Sequence, residues 1–487
     1  MQNNAEMAER QSAELESADR SQTTKPRKTK YFNAAKLLVI GIFTALAVFL
    51  VARPVRSFVM ELFGFDRVIV RNADNLLAEG RETFRFDTFG DEHFWGDQLR
   101  RHEAIAGEQN GGVGPGLSPV QALTLGLKVD VDAVPPGIVK QIRRGRVDLN
   151  DPAVTVFLLR HNAVVGVKGF FGKDTGSGEG QLESVGITCA LCHSTVDDSL
   201  TAGIGHRLDG WANRDLNVGE VVAFAPNLAP FADLLGVSQD QVRAVLRSWG
   251  PGKFDAELIL DGKAVNPQQI SNGVVTGTNV PAATLLPPAF GLAGVNQHTW
   301  TGWGSVPYWN SFVANLEMHG SGTFFDPRLN DPVKFPIAAA HNFGNVRNEP
   351  DLITPKLPAL HFYQLAIPAP APPESSFDAE AAERGDELFE EKAGCANCHV
   401  EPLFTEPGWN MRTPASICID AFQANRSPDE RYRTSPLKGL WTHQRGGFFH
   451  DGRFPTLLAV VNHYNTCFDL GLTDGEKSDL VEYLKSL

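Results

Sequence analysis

Apolar positions divide this chain into one unbroken block, several helical stripes and long stretches with neither. Residues 37–52 (LLVIGIFTALAVFLVA) carry no charge. Extended back to Ala34, with Lys36 reaching toward the interface, the block is long enough to span a bilayer as a short helix. Residues 1–30 are polar, end in the basic run Lys25-Pro26-Arg27-Lys28-Thr29-Lys30 and are expected to be disordered. No small-residue cleavage pattern separates the block from Arg53-Pro54-Val55-Arg56, so an uncleaved signal anchor is expected. The basic residues ahead of it place the N-terminus in the cytoplasm and the remainder in the periplasm, on an inner membrane crossed once.

Helical stripes lie farther on. In residues 237–249, Val242, Val245 and Leu246 share a face behind an N-cap at Ser238. Residues 378–392 read as an amphipathic helix. Residues 473–487 read as another, with Thr473 and Glu476 as a capping box and Leu480, Leu484 and Leu487 as its stripe. Two apolar runs in residues 152–171 fit strand or buried helix equally. Residues 107–116, 173–180 and 286–304 are loops by their Gly and Pro content. The Pro-rich run IPAPAPP at 367–373 marks a boundary. The expected order is a leader (1–33), an anchor (34–52), an enlarged N-terminal domain (53–366), a linker (367–376) and a C-terminal domain (377–487). Residues 57–185 carry no readable motif.

The length of 487 residues leaves room for two to four domains. A net charge of −13 argues against nucleic acid and mildly for basic partners.

Cysteine changes the picture. Cys189-Ala190-Leu191-Cys192-His193 is matched by Cys395-Ala396-Asn397-Cys398-His399. Cys-x-x-Cys-His is the attachment signature of c-type haem: two thiols add to the porphyrin vinyl groups and the histidine ligates the iron. Zinc would want further Cys or His close by, and a plain thiol redox pair has no need of the histidine. Two covalent haems are therefore expected. Haem attachment outside the cytoplasm agrees with the anchor. Cys418 and Cys467 remain, either as a disulfide or as two separate thiols, since spacing does not supply the Cα distance a bridge needs. Residues 286–303 also weakly resemble 434–453, each downstream of one haem motif.

These residues resemble the bacterial di-haem cytochrome c peroxidase family, which includes the MauG type. Phe448-Phe449-His450-Asp451-Gly452-Arg453 is similar to that family's second-domain loop, and Tyr464 falls where the family places the sixth ligand of its C-terminal haem, Tyr in the MauG type. Trp300-Thr301-Gly302 resembles Trp-Asp-Gly, whose Trp lies between the haems. Asn315-Leu316-Glu317-Met318 resembles the motif whose Glu is the acid–base residue, though one residue shorter and without its Pro. Ile204-Gly205-His206 resembles the loop whose His caps the peroxidatic haem. The resemblance covers about half the chain. It implies a mainly α fold with two cytochrome c-like domains, the first enlarged by insertions. It implies reduction of hydrogen peroxide or another small oxidant at the haem of His193. Electrons would come from a small donor protein, a cytochrome c or a cupredoxin, through the haem of His399. Glu317 and Trp300 would then be catalytic, with His206, Tyr464 and His450 as candidate iron ligands; His463 competes with them. Interdomain calcium in the family uses Thr and Pro positions that are Arg445 and Gly447 here, which argues against it. Related rubber oxygenases also have an enlarged first domain, so an oxygenase acting on an apolar substrate is a second expectation. A non-catalytic electron-transfer cytochrome is a third.

Overall fold

The computed structural model describes residues 64–173, 180–443 and 445–487. The leader and anchor expected at 1–52 lie outside the described residues. Among the described residues no helix is long and apolar enough to cross a membrane. Residues 73–487 form one compact unit.

The helices with capping signals form where the sequence places them. Gln239–Ser248 opens on Ser238, whose hydroxyl accepts from the Gln241 N–H while the Gln241 side chain accepts from the Ser238 N–H. Asp474–Ser486 opens on Thr473 and Glu476 in the same reciprocal way. Ala379–Glu390 opens on Asp378 and packs against Asp474–Ser486 through Phe389, Leu480, Tyr483 and Leu484. Gly385 permits that approach, because a Cβ there would stand 2.2 Å from the Asp479 carbonyl oxygen.

The ambiguous region 152–171 takes both forms. Pro152–Arg160 is a helix capped by Asp151, with Pro at its first position. Val167–Phe171 is a strand, paired antiparallel with Leu182–Ile187.

The expectation of a mainly α fold is corrected to a mixed one, with seven two-stranded sheets among the described residues. The clearest is the hairpin of Val265–Ser271 and Val274–Pro281. Asn272 and Gly273 turn it with φ of 52° and 72°, the conformation an Asn-Gly hairpin turn demands. Its β-branched and polar alternation is a strand signal that falls inside the region where the sequence showed no helix motif.

Three buried clusters draw only on residues up to Ile367, and two draw only on residues from Leu388 onward. The two groups meet through the Trp211–Trp441 ring pair, centroids 5.4 Å apart, and through polar contacts. The hairpin's Ser271 bridges to Ile419, the Asn272 N–H donates to the Cys418 carbonyl at 2.8 Å, and the Asn266 amide donates to Asp420 at 3.2 Å. Cys418 and Cys467 form a disulfide, which ties this docking strip to the helix Leu457–Cys467.

The faint sequence repeat is a structural one. His298 bridges to Gly304 and Phe448 to Phe454, each closing a seven-residue loop. Within them φ is positive at matching second positions, Thr299 (63°) and Phe449 (69°), and matching fifth positions, Gly302 (62°) and Gly452 (74°). A helix follows each, Val306–Phe312 capped by Ser305 and Leu457–Cys467 capped by Thr456. The loops are also cross-linked reciprocally. The Leu285 N–H donates to the His450 carbonyl at 2.6 Å, and the Arg433 N–H donates to the Trp300 carbonyl at 3.2 Å. Leu285 and Arg433 each immediately precede one copy of the repeat, so the two loops are exchanged about a local pseudo-two-fold.

Candidate functional site

The strand Leu182–Ile187 delivers the chain directly into the first Cys-x-x-Cys-His turn, Ala190–His193. Gly166 lies under it, and a Cβ there would stand 2.1 Å from the Leu191 backbone. His193 is held by Nδ1, 3.1 Å from the Pro287 carbonyl oxygen. That carbonyl fixes Nδ1–H as donor and leaves Nε2 as the ligating nitrogen. The second turn repeats the arrangement. His399 Nδ1 lies 3.0 Å from the Phe404 carbonyl oxygen, with the Ser435 carbonyl also facing it. Ser435 occupies in its repeat the place Pro287 occupies in the other. Burial lowers both imidazole pKa values, so both rings are neutral.

None of the four motif cysteines is in a disulfide. Burial pushes the Cys189 and Cys192 thiols up to about 12 and Cys395 up to about 11. Paired unbonded thiols beside a neutral imidazole with a committed Nδ1 are the donor set a c-type haem requires, so the residues fit that group twice. Among the described residues no cluster of three or more His, Cys, Asp or Glu side chains is arranged to hold a bare metal ion. At the positions compared with the calcium site, Arg445 pairs with Asp215.

The other candidates divide between the two motifs. Glu317 closes the wide π-helical turn Val313–Glu317 after Val306–Phe312. Its Oε1 is sealed from water without a hydrogen-bond partner among the described residues. Burial, and then the charges of Glu257 and Asp255, raise its pKa well above the carboxylate range; its own charge bears on the Cys192 thiol. Glu317 therefore belongs to the first motif, where burial favours its neutral form. Tyr464 belongs to the second. Burial, followed by the charges of Cys395 and Cys398, raises its phenol pKa, and its ring stacks on Phe468.

Trp300 is half-buried and donates its indole N–H to the Leu285 carbonyl at 2.8 Å. It and His450 are the third residues of the two related loops. His450 is buried, stacked 5.0 Å from Tyr432, and pushed down to about 4 by burial. His463 has both ring nitrogens engaged, Nδ1 with Ser271 at 2.8 Å and Nε2 with the Ile417 carbonyl at 2.9 Å. His206 is exposed and pairs with Asp132 at 2.9 Å.

A buried ionic cluster beside Glu317 was not anticipated. Arg426, 1% exposed, binds Asp261 at 2.9 and 3.0 Å and lies 2.9 Å from Asp255. Burial pushes the neighbouring Glu257 up to about 7. The sequence signal was three acids inside the apolar run 255–261 (DAELILD), where solvated carboxylates are out of place.

No family model matches the chain. Over 130 residues it is 30% identical to the methylamine utilization protein MauG of Methylorubrum extorquens, covering 23% of this chain and 36% of that protein. The sequence kinship is with MauG. It spans little more than a third of MauG's length, and it supports the MauG-like side of the resemblance without reaching the peroxidases specifically. Among solved structures, a MauG-like protein associated with microbial copper homeostasis aligns at 18% identity over 47% of this chain and 77% of that one, with a TM-score of 0.29. Hydrazine synthase of Kuenenia stuttgartiensis aligns at 21% identity over 44% and 78%, with a TM-score of 0.26. At such scores these structural likenesses carry no argument about this chain.

Proposed function

We propose that this chain is a MauG-like di-haem c-type oxidoreductase of the periplasmic face of the inner membrane. It reduces hydrogen peroxide at the His193 motif with electrons entering through the His399 motif, supplied by a small donor protein such as a cytochrome c or cupredoxin. The observation that carries this reading is the inequality of two otherwise matching sites. Each proximal histidine is locked by a backbone carbonyl, yet an unpartnered buried carboxyl accompanies one and a packed phenol the other.

When bound, the two haems supply the one-electron redox chemistry that peroxide cleavage requires. The remaining work falls to the chain. His193 and His399 present Nε2 from fixed rings. Glu317, as the carboxylate, would accept the proton of one peroxide oxygen and return it to the other, from a water-poor position. Trp300, pinned through Leu285 to the strand that also meets His450, would carry an electron between the halves. Tyr464 is the residue of this chain that would ligate the second haem and keep it closed to small ligands. The exposed His206, paired with Asp132, lends no support to a capping role.

A second reading is oxygenation of an apolar substrate. The apolar cavity of about 40 Å³ in the enlarged first domain, lined by Ile105, Leu127, Leu158 and Val164 among others, is far smaller than a substrate pocket and does not favour it. The two readings separate on mixing. Rapid oxidation of the reduced protein by stoichiometric peroxide supports the peroxidase, whereas a persistent dioxygen adduct with slow peroxide reaction supports the oxygenase.

A further inference from the structure

Arg214 sits just beyond the first haem turn, where the N–H of its neighbour Asn213 donates to the Cys192 carbonyl at 2.9 Å. The residue is 7% exposed, and its Nε and Nη1 are sealed from water without a partner among the described residues. The nearest carboxylate in sequence, Asp215, is already committed to Lys128 at 2.6 Å and to Arg445. Two further basic groups share the neighbourhood. His443 has a sealed, unpartnered Nε2, and half-buried Lys253 has no ion pair or hydrogen bond among the described residues. Burial lowers the pKa of both, and the charge of Arg214 acts on each in the same direction. Asp451, the carboxylate acting on Lys253, is held by Arg453 at 2.7 Å and Gln269 at 2.6 Å. A Cβ on Gly446 would lie 3.7 Å from Arg214 Nη1 and 3.0 Å from Leu285 Cδ2. The guanidinium thus reaches the seam between the segment anchoring His193 and the loop that precedes His450.

A buried guanidinium without a counter-charge costs several kcal/mol, and no water reaches its sealed nitrogens to offset this. A sealed guanidinium without a counter-charge, with the Lys253 amine and the unpartnered Nε2 of a neutral His443 in its neighbourhood, describes a receptor for an oxyanion. We infer that Arg214, flanked by Lys253 and His443, binds a carboxylate of the haem held by His193 and so fixes that haem's edge at the seam between the two halves. This rests on the di-haem reading. A free phosphate has the same chemistry and is the competing occupant.

The test uses the mature full chain, wild type beside Arg214→Gln and Arg214→Lys. Covalent haem content comes from the pyridine haemochrome spectrum. Occupancy of the receptor comes from the propionate-bending band in resonance Raman and from spectroelectrochemistry at alkaline pH, where a carboxylate stays ionised. Arg214→Gln is expected to keep both haems, shift the bending band, and lower the reduced-to-oxidised ratio of the first haem about tenfold at fixed potential, the order set by one partly buried unit charge. Arg214→Lys restores most of that ratio. An unchanged band and ratio in Arg214→Gln with both haems attached overturns the assignment. So does a rise in wild-type melting temperature with inorganic phosphate that Arg214→Gln abolishes while the haem signals stay fixed. If Arg214→Gln does not accumulate, Lys253→Gln reads the same two signals with the same sign. A wild type carrying no covalent haem defeats the di-haem reading itself, which is a separate result.

Discussion

The loops 298–304 and 448–454 share one backbone and differ in what they carry. Both close with the same bridge, both place positive φ at the second and fifth residues, and both lead into a capped helix. Their third residues are Trp300 and His450, and each loop's carbonyl is claimed by the strand ahead of the other. The helices that follow diverge further. The first ends in a π-helical turn presenting Glu317; the second runs on to Tyr464 and a disulfide. A duplicated scaffold can therefore hold two like cofactors and give them unlike distal chemistry. Specialisation needs only a few side chains on the far side of each loop, while the proximal anchors stay fixed.

The largest expected effect separates the halves outright. Cys189→Ala with Cys192→Ala should remove one haem and abolish peroxide turnover. Cys395→Ala with Cys398→Ala should remove the other, leaving a first site that still binds carbon monoxide but accepts electrons poorly. Absorbance per polypeptide and steady-state turnover check both. Equal residual turnover in the two variants would break the asymmetry.

Next comes Glu317→Gln, which keeps shape and removes the proton-accepting carboxylate. The peroxide reaction should slow by about 10²–10⁴-fold, read by stopped-flow, while Tyr464→Phe leaves that step within a few fold.

The ionic seam is expected to matter for stability. Arg426→Ala strands Asp255 and Asp261 without their cation and should cost about 3–5 kcal/mol in denaturant unfolding. The adjacent Glu257 supplies a pH test. Its folded pKa, about 7, lies above the ordinary glutamate value, so the folded state binds the extra proton. Stability should fall as pH rises from the ordinary glutamate range to about 7, and Glu257→Gln should flatten that slope.

Smallest are the matched caps. Ser238→Ala and Thr473→Ala should each cost about 1 kcal/mol, one per half.

These sites differ in how openly the sequence displayed them. Local chemistry was legible: the capping boxes at Ser238 and Thr473, the Asp378 helix and the Pro-rich boundary depend on residues a few places apart. The haem motifs were legible because cofactor attachment fixes their spacing. The hairpin 265–281 was missed because its β-branched residues lie on a largely exposed ribbon, so its alternation marks no buried apolar face. Thr299 and Phe449 take positive φ without being Gly or Asn, which hid the shared turn behind the faint repeat. Of the Arg426 cluster only the three acids of 255–261 left a mark in the sequence, and the two buried arginines, Arg426 and Arg214, left none for another reason. Burial of a charge is a property of long-range packing, and neither arginine carries a local mark of it.

The most direct measurement is the carbon monoxide stoichiometry of the fully reduced protein against its covalent haem content. Two haems per chain and one carbon monoxide bound, retained in the Cys395/Cys398 double variant and lost in the Cys189/Cys192 one, is the expected result. Two carbon monoxide molecules per chain, or none, would contradict unequal sites on a duplicated scaffold.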